Sequence, residues 1–209
     1  VWTKQQKNRK KKLFNSKVLN LKSIQQNKKQ ISLAANFVDY KHIIADRNEP
    51  SIRLRLKQIG TSGLILINYK KNKYTLFAKR SKNNTEYPNY FELVPSGNLD
   101  YLSKQNNKNL DYKSKLLEEL EEEIGIIKNQ VKEVFEICVI KDKINSVYDI
   151  CCIIKLRVNK FTAIKNIKTA EYTMLKFVKI ENIPEFITRY KKKIVPTTLG
   201  LLEYYLMKN

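Results

Sequence analysis

The residues of this sequence that are best suited to chemistry are the glutamates within positions 116–126, LLEELEEEIGI. If this segment is a helix, Glu119, Glu122 and Glu123 fall within about 100° of one another. Carboxylates held this close repel each other, so at neutral pH they need a cation. That cation can be a hard divalent ion such as Mg²⁺, which prefers oxygen ligands, or a neighbouring Lys or Arg. The alternative is that the glutamates are only the solvated face of a helix in a lysine-rich protein.

The residues around these glutamates predict a helix. Gly125 is typical of the left-handed residue that follows a helix C terminus, and Asp111 or Ser114 can cap the N terminus. An apolar stripe next to the glutamates is formed by Leu116, Leu117, Leu120 and Ile124. Three carboxylates are therefore expected to line one edge of the buried face of this helix.

The predicted helix and the residues ahead of it resemble the motif of the Nudix hydrolases. That motif is a Gly, five residues, a Glu, seven residues, and then Arg-Glu-apolar-x-Glu-Glu-x-Gly-apolar. Residues 119–126 match its second half in register, and residues 87–97, YPNYFELVPSG, are similar to the strand and turn that precede it. The resemblance implies an α+β fold in which a mixed β-sheet is sandwiched between helices, here with a basic N-terminal extension.

The resemblance also implies a metal site. In this family the glutamates bind Mg²⁺ at a pyrophosphate linked to a nucleoside, where the metal offsets phosphate charge and activates water. Glu119, Glu122 and Glu123 would then be the metal ligands and the catalytic residues, with one of them serving as the base.

Departures from the motif favour a chain that is not an enzyme. Glu118 stands where the family has Arg, which reverses the charge of a group that orients the catalytic glutamates. Strict counting places the first Glu of the motif at Leu110 and its Gly at Lys104. If Gly97 is instead the counterpart of that glycine, an insertion of about seven residues lengthens the loop. The candidates for the missing Glu are then Asp100 and Asp111.

The charge of the chain favours a polyanionic partner. Lys and Arg total 41 residues against 20 Asp and Glu, so the net charge is +21. The first 38 residues contain ten Lys or Arg and no acid, so we expect residues 1–50 to be a basic arm and linker ahead of a domain over residues 51–209. An organellar targeting sequence or a disordered tail would have a similar composition. Translation of an AT-rich genome would also enrich Lys, Asn, Ile and Tyr.

Two further basic clusters, at residues 70–74 and 189–193, place tyrosine beside lysines. This combination can pair RNA phosphates with an aromatic stacking surface, although solvated loops have the same composition. The predicted RNA-binding residues are Lys4, Lys7, Arg9, Lys10, Lys11, Lys12, Lys70, Lys71, Lys73, Arg189, Lys191, Lys192 and Lys193.

These features predict two functions from different classes. The first is a Nudix-fold structural subunit of a large ribonucleoprotein, which needs no cofactor. A protein of the mitochondrial large ribosomal subunit has a Nudix-like fold, so the resemblance implies that assembly. Its partners would be ribosomal RNA and neighbouring ribosomal proteins in the mitochondrion. The alternative is a Mg²⁺-dependent hydrolase, mitochondrial or cytoplasmic, that cleaves a nucleoside diphosphate derivative.

The rest of the sequence predicts one β-rich domain. No run of residues approaches the roughly 20 apolar residues of a membrane span, so we expect no membrane partner. Cys138, Cys151 and Cys152 lack the spacing of a zinc site and are expected to be buried thiols in a reducing compartment. The predicted strands cover residues 52–59, 63–69, 74–79, 90–94, 131–141, 149–158 and 176–179, and two later helices cover residues 183–190 and 197–207.

Overall fold

The computed structural model describes residues 2–3, 15–28, 30–101, 104–105, 109–157 and 171–209. The strands in this part of the chain are β1 (Lys17–Gln26), β2 (Ile31–Asp39), β3 (Gln58–Tyr69), β4 (Asn72–Arg80), β5 (Phe91–Leu93), β6 (Ser96–Asn98), β7 (Lys104–Gln105), β8 (Asn109–Leu110), β9 (Val131–Asp142), β10 (Val147–Leu156) and β11 (Tyr172–Lys179). The helices are α1 (Tyr40–Asn48), α2 (Tyr112–Ile124), α3 (Ile183–Tyr190) and α4 (Pro196–Lys208).

Nine of these strands form one mixed sheet, and helices cover both of its faces. β3 and β10 pair in parallel, whereas β3 pairs with β4 and β6 in antiparallel fashion. Because side chains alternate along a strand, Leu64 and Ile65 of β3 enter different hydrophobic clusters. α2 packs on the Ile65 side, and α3 and α4 pack on the Leu64 side. The predicted α+β fold with a sandwiched mixed sheet is confirmed.

Most of the predicted elements are confirmed as well. The predicted strands 63–69 and 74–79 form a hairpin as β3 and β4, where Tyr69 pairs with Asn72. α3 has the predicted bounds, and α4 begins at Pro196. β10 is buried along most of its length, as its continuous apolar run predicts. Leu202 and Tyr205 of α4 are buried against the sheet.

The strand predicted over residues 52–59 is wrong for most of its length, because β3 begins only at Gln58. The backbone N–H groups of residues 54–56 donate to the carboxylate of Asp46, at 2.7, 3.2 and 2.7 Å. These donors are satisfied by a side chain of α1 and therefore need no partner strand. The alternation of apolar and basic residues does not mark a strand here.

Residues that the sequence assigned to the basic arm and linker form part of the fold. β1 and β2 are an antiparallel hairpin, and Asn20 of β1 pairs with Gln58 of β3. α1 then occupies the expected linker. The inner half of β1 is buried through Val18, Leu19 and Leu21. Residues 4–14 lie outside the described residues, so an arm over that stretch stays a prediction.

The cysteine prediction is confirmed in its main point. Cys151 and Cys152 are buried, Cys138 is half-buried, and all three are free thiols. Among the described helices, none is both long enough and apolar enough to span a membrane.

Candidate active site

The turn over residues 94–97 is held against the centre of the sheet. β5 enters it paired with β4, and β6 leaves it paired with β3. The peptide bond between Val94 and Pro95 is cis. The Gly63 N–H donates to the Pro95 carbonyl at 2.8 Å, and Thr61 pairs with Gly97. The turn that precedes the glutamate helix therefore has a backbone support from β3.

α2 carries the predicted glutamates to this turn. Asp111 caps its N terminus by accepting the Ser114 hydroxyl at 2.6 Å and the Ser114 N–H at 2.9 Å, and these hydrogen bonds hold the pKa of Asp111 below its usual value. Gly125 ends the helix in the left-handed conformation, with a φ of 76°. Leu116 and Leu120 are buried against the sheet. The predicted helix, its cap and its apolar stripe are confirmed.

Gly97 contacts one of the predicted ligands. A Cβ atom on Gly97 would lie 2.5 Å from Oε1 of Glu119, so any side chain there would displace that carboxylate. Lys104, the position found by strict counting, lies in the short strand β7 instead. Gly97 is therefore the glycine that accompanies the glutamates, and the inserted residues separate it from α2. Asp111, one of the two candidates for the missing Glu, is occupied as the helix cap.

Glu119 is half-buried and forms an ion pair with Lys115, whose Nζ lies 3.0 Å from Oε1. Burial raises the pKa of the Glu119 carboxyl, and the Lys115 ammonium opposes that rise. The carboxylates of Glu122 and Glu171 add to the rise, so the pKa of Glu119 lies above its ordinary value. Burial lowers the pKa of the Lys115 ammonium, but the carboxylates of Glu119, Asp100 and Glu118 together raise it above its ordinary value.

Glu123 is only 2% exposed and is fixed by two hydrogen bonds. The Tyr172 hydroxyl donates to Oε1 at 2.8 Å, and the Ser96 N–H donates to Oε2 at 3.4 Å. Burial raises the pKa of Glu123 well above its ordinary range, and the Glu92 carboxylate raises it further. Glu123 therefore connects α2 to both β11 and the turn.

A second buried acid, Glu92, lies behind Glu123. Nη1 of Arg80 contacts both carboxylate oxygens of Glu92, at 2.6 and 2.7 Å. Burial lowers the pKa of Arg80, but Glu92, Tyr172 and Glu86 together raise it above its ordinary value, so the guanidinium stays charged. β4 pairs with both β5 and β11, which brings Arg80, Glu92 and Tyr172 together. These three residues form a largely buried cluster beneath Glu123.

The donor chemistry of the turn and α2 fits a hard divalent cation. Glu122 is exposed on α2, and Glu119, Glu122 and Glu123 offer only oxygen donors, as Mg²⁺ prefers. Within the described ranges, no three His, Cys, Asp or Glu side chains are already grouped as a metal site. Glu119 faces Lys115 and Glu123 faces Tyr172, so these two acids have protein partners in this structure.

The predicted RNA-binding residues that the structure describes are all exposed and lie in two separate loops. Lys70 and Lys71 form the turn between β3 and β4, and Lys73 follows in β4. Arg189 lies in the last turn of α3, and Lys191–Lys193 form the 3-10 turn after it. Ring contacts are present in both loops, since Lys70 lies over Tyr69 and Lys193 over Tyr90, at 5.7 and 5.2 Å from the ring centroids. Lys4, Lys7, Arg9, Lys10, Lys11 and Lys12 lie outside the described residues.

Sequence reasoning missed four residues that support the site: Arg80, Glu92, Lys115 and Tyr172. Lys115 carries a usable signal, because it precedes Glu119 by four residues on a predicted helix and thus shares its face. The other three give no such signal. They meet only because β5 and β11 both pair with β4, and this pairing is not visible in local patterns.

Comparison with known proteins defines the class of fold. No family model and no curated protein matches the chain. Tm1382, described as a putative Nudix hydrolase, is similar with a TM-score of 0.58 and 12% identity, covering 92% of this chain and 100% of that one. The Nudix domain of Shewanella oneidensis NrtR, complexed with ADP ribose, has a TM-score of 0.55 and 13% identity over 80% of this chain and 97% of that one.

A bifunctional NMN adenylyltransferase/ADP ribose pyrophosphatase from Francisella tularensis gives a TM-score of 0.52 at 14% identity. The match covers 80% of this chain and 46% of that larger protein. At these identities the likeness concerns the fold alone. The fold of this chain is Nudix-like, as the motif predicts.

Proposed function

We propose that this chain is a Mg²⁺-dependent hydrolase that cleaves a nucleoside diphosphate derivative. The observation that carries the proposal is the contact between Gly97 and Glu119, because the turn and the helix meet there despite the lengthened loop. The departures from the motif are therefore weaker evidence against activity. The glycine is present beside the glutamates, and Lys115 places a cation next to Glu119, although Glu118 replaces Arg.

The proposed roles follow from the positions of the three glutamates. Glu119 and Glu122 would hold Mg²⁺, with Glu123 as the third predicted ligand. When bound, Mg²⁺ offsets the charge that develops on phosphate oxygens and lowers the pKa of a bound water. Glu123 also keeps the turn against α2 through the Ser96 N–H. Glu122 is the exposed carboxylate of the three and is the proposed base.

The proposed substrate class rests on charge and on the similar structures. A net charge of +21 raises the local concentration of anionic substrates around the protein. One similar structure holds ADP ribose, and another is described as an ADP ribose pyrophosphatase. ADP ribose is therefore the first compound to assay, followed by other nucleoside diphosphate derivatives.

The proposal is tested by measuring hydrolysis of such a panel with MgCl₂ and with EDTA. We expect turnover that needs Mg²⁺ and falls by about 10²-fold or more in Glu122→Gln. Glu121→Gln is the matched control, because Glu121 is the adjacent exposed residue of α2 and the charge change is identical. Its activity should stay within about twofold of the wild type. Wild-type protein without Mg²⁺-dependent turnover on any of these compounds would contradict the proposal.

A structural subunit of the mitochondrial large ribosomal subunit is the second candidate. The exposed basic loops at Lys70–Lys73 and Lys191–Lys193, together with the net charge, favour binding to ribosomal RNA. This role requires no metal and predicts cosedimentation with ribosomal particles from mitochondria that withstands high salt. Removal of residues 1–38 would reduce that binding. Cosedimentation without any Mg²⁺-dependent turnover would favour this candidate over the hydrolase.

A further inference from the structure

The ion pair between Lys115 and Glu119 differs from the other lysine ion pairs on α2. The side chains of Lys115 and Glu119 are 13% and 18% exposed, and Nζ lies 3.0 Å from Oε1. Lys113, on the same helix, pairs with Glu136 of β9, but those side chains are 41% and 51% exposed. Because exposed pairs are screened by water, the Lys113 pair is the ordinary surface type and the Lys115 pair is not.

Two neighbours confine Glu119. The turn leaves no room beside it, since a Cβ on Gly97 would meet the Cγ, Cδ and Oε1 atoms of Glu119. The ammonium group of Lys115 also contacts Oε1, and the Lys115 side chain is only 13% exposed. A side chain confined in this way has few alternative rotamers, so the position of its carboxylate is set before any ligand arrives.

Lys115 is also the cation that offsets local negative charge. Glu118, which replaces the motif arginine, brings a further carboxylate to 3.8 Å from Nζ and is 61% exposed. The Asp100 carboxylate, from the loop after β6, also raises the pKa of the Lys115 ammonium. The backbone N–H of Lys115 donates to the carbonyl of the helix cap Asp111, which fixes the start of the side chain.

We propose that Lys115 is a positioning residue that orients Glu119 for catalysis, in place of the arginine that Glu118 has replaced. The inference rests on the proposed hydrolase function. It adds that the orienting cation comes from one turn earlier on α2, and that its ammonium and the divalent cation share the same carboxylate. Lys115 therefore promotes turnover by orientation while its charge opposes cation binding.

The test compares Lys115→Met, Lys115→Arg and the control Lys113→Met, which removes the same charge from the same helix. Mn²⁺ binding to the full chain, followed by electron paramagnetic resonance, needs no substrate. We expect Lys115→Met to bind Mn²⁺ about fivefold more tightly than the wild type, because the competing ammonium is gone. The Mn²⁺ affinity of Lys113→Met should stay within about twofold of that of the wild type. The affinity of Lys115→Arg should also be close to that of the wild type.

The kinetic readout separates orientation from a merely structural role. On the compound that the wild type hydrolyses, Lys115→Met should lower kcat about tenfold with little change in KM, and Lys115→Arg should restore most of it. The inference is overturned if Lys115→Met and Lys113→Met have the same Mn²⁺ affinity. It is also overturned if the kcat of Lys115→Met equals that of the control. Wild-type protein without turnover refutes the hydrolase itself, and the Mn²⁺ comparison then still decides whether Lys115 shares Glu119 with a cation.

Discussion

Charged side chains occur in two contrasting surroundings in this protein, behind the glutamate helix and in the basic loops. Glu92 and Glu123 are 3% and 2% exposed, and each is held by named partners from other strands. The lysines at 70–71 and 191–193 are exposed, and their number rather than their exact position sets the positive field. Buried charge requires precise partners, whereas exposed charge does not. Substitutions in the buried group are therefore expected to cost more than substitutions in the loops.

The largest effect is expected from a substitution that removes the ion pair between Arg80 and the buried Glu92. Arg80→Met leaves the Glu92 carboxylate buried without its guanidinium partner, next to Glu123. We expect a loss of about 3–5 kcal/mol in the free energy of unfolding, measured by urea denaturation. Adding Glu92→Gln to the same chain should recover part of that loss, because the orphaned charge is then removed.

The matched control for this change is Arg189→Met, which removes an exposed guanidinium that lies 5.4 Å from the ring centroid of Tyr190. It should alter the free energy of unfolding by no more than about 1 kcal/mol. Similar losses for the buried and the exposed arginine would remove the contrast between the two regions.

Another buried acid, Asp149, gives a pH dependence. Asp149 accepts a hydrogen bond from the Ser62 hydroxyl at 2.9 Å, and burial raises its pKa from 3.8 to about 6. Between these values the folded protein holds the proton more strongly than the unfolded chain. The free energy of unfolding should therefore fall as the pH rises from 4 to 6, and this contribution is on the order of 3 kcal/mol.

Asp149→Asn removes this titration and should flatten the stability profile between pH 4 and 6. Part of the slope should remain, because the raised pKa values of Glu119 and Glu123 act in the same direction. Thermal unfolding at several pH values measures the slope. An unchanged slope in Asp149→Asn would show that Asp149 does not titrate in this range.

The smallest effect on stability is expected in the loops. Replacing Lys191, Lys192 and Lys193 by Ala should change the free energy of unfolding by less than about 0.5 kcal/mol. If these lysines contact RNA phosphates, the salt dependence of single-strand binding should become shallower by about 0.7 per lost contact. The control replaces the exposed lysines Lys128, Lys132 and Lys143, which lie outside the predicted clusters. Equal slopes in both triple variants would refute a specific role of the loop.

Local patterns predicted α2 and α3 well because their signals lie within each helix. Asp111, Gly125 and the apolar stripe fix the ends and the buried face of α2 without reference to the rest of the chain. The same is true of the Nudix-like fold, since the motif couples a turn to a helix. The motif therefore predicted the scaffold and identified Glu119, Glu122 and Glu123 as candidate site residues.

Long-range pairing explains what the sequence did not predict. In β1 the buried Val18, Leu19 and Leu21 do not alternate strictly with polar residues, and the chain pairs there with β3, far along the sequence. The segment before β3 alternates well but bonds to Asp46 instead of a strand. In the site, Arg80 meets Glu92 through strand pairing alone. Such contacts depend on topology, which one sequence does not specify.

The proposed hydrolase function requires a divalent-cation site where the turn at Gly97 meets the acids of α2. An anomalous difference map from crystals of the full chain, grown with Mn²⁺ and a non-hydrolysable ADP analogue, would locate that site. We expect a Mn²⁺ peak within coordination distance of carboxylate oxygens of Glu119 and Glu122, next to the analogue's phosphates. A map in which the analogue and Mn²⁺ bind elsewhere, with Lys115 still paired to Glu119, would contradict the proposed function.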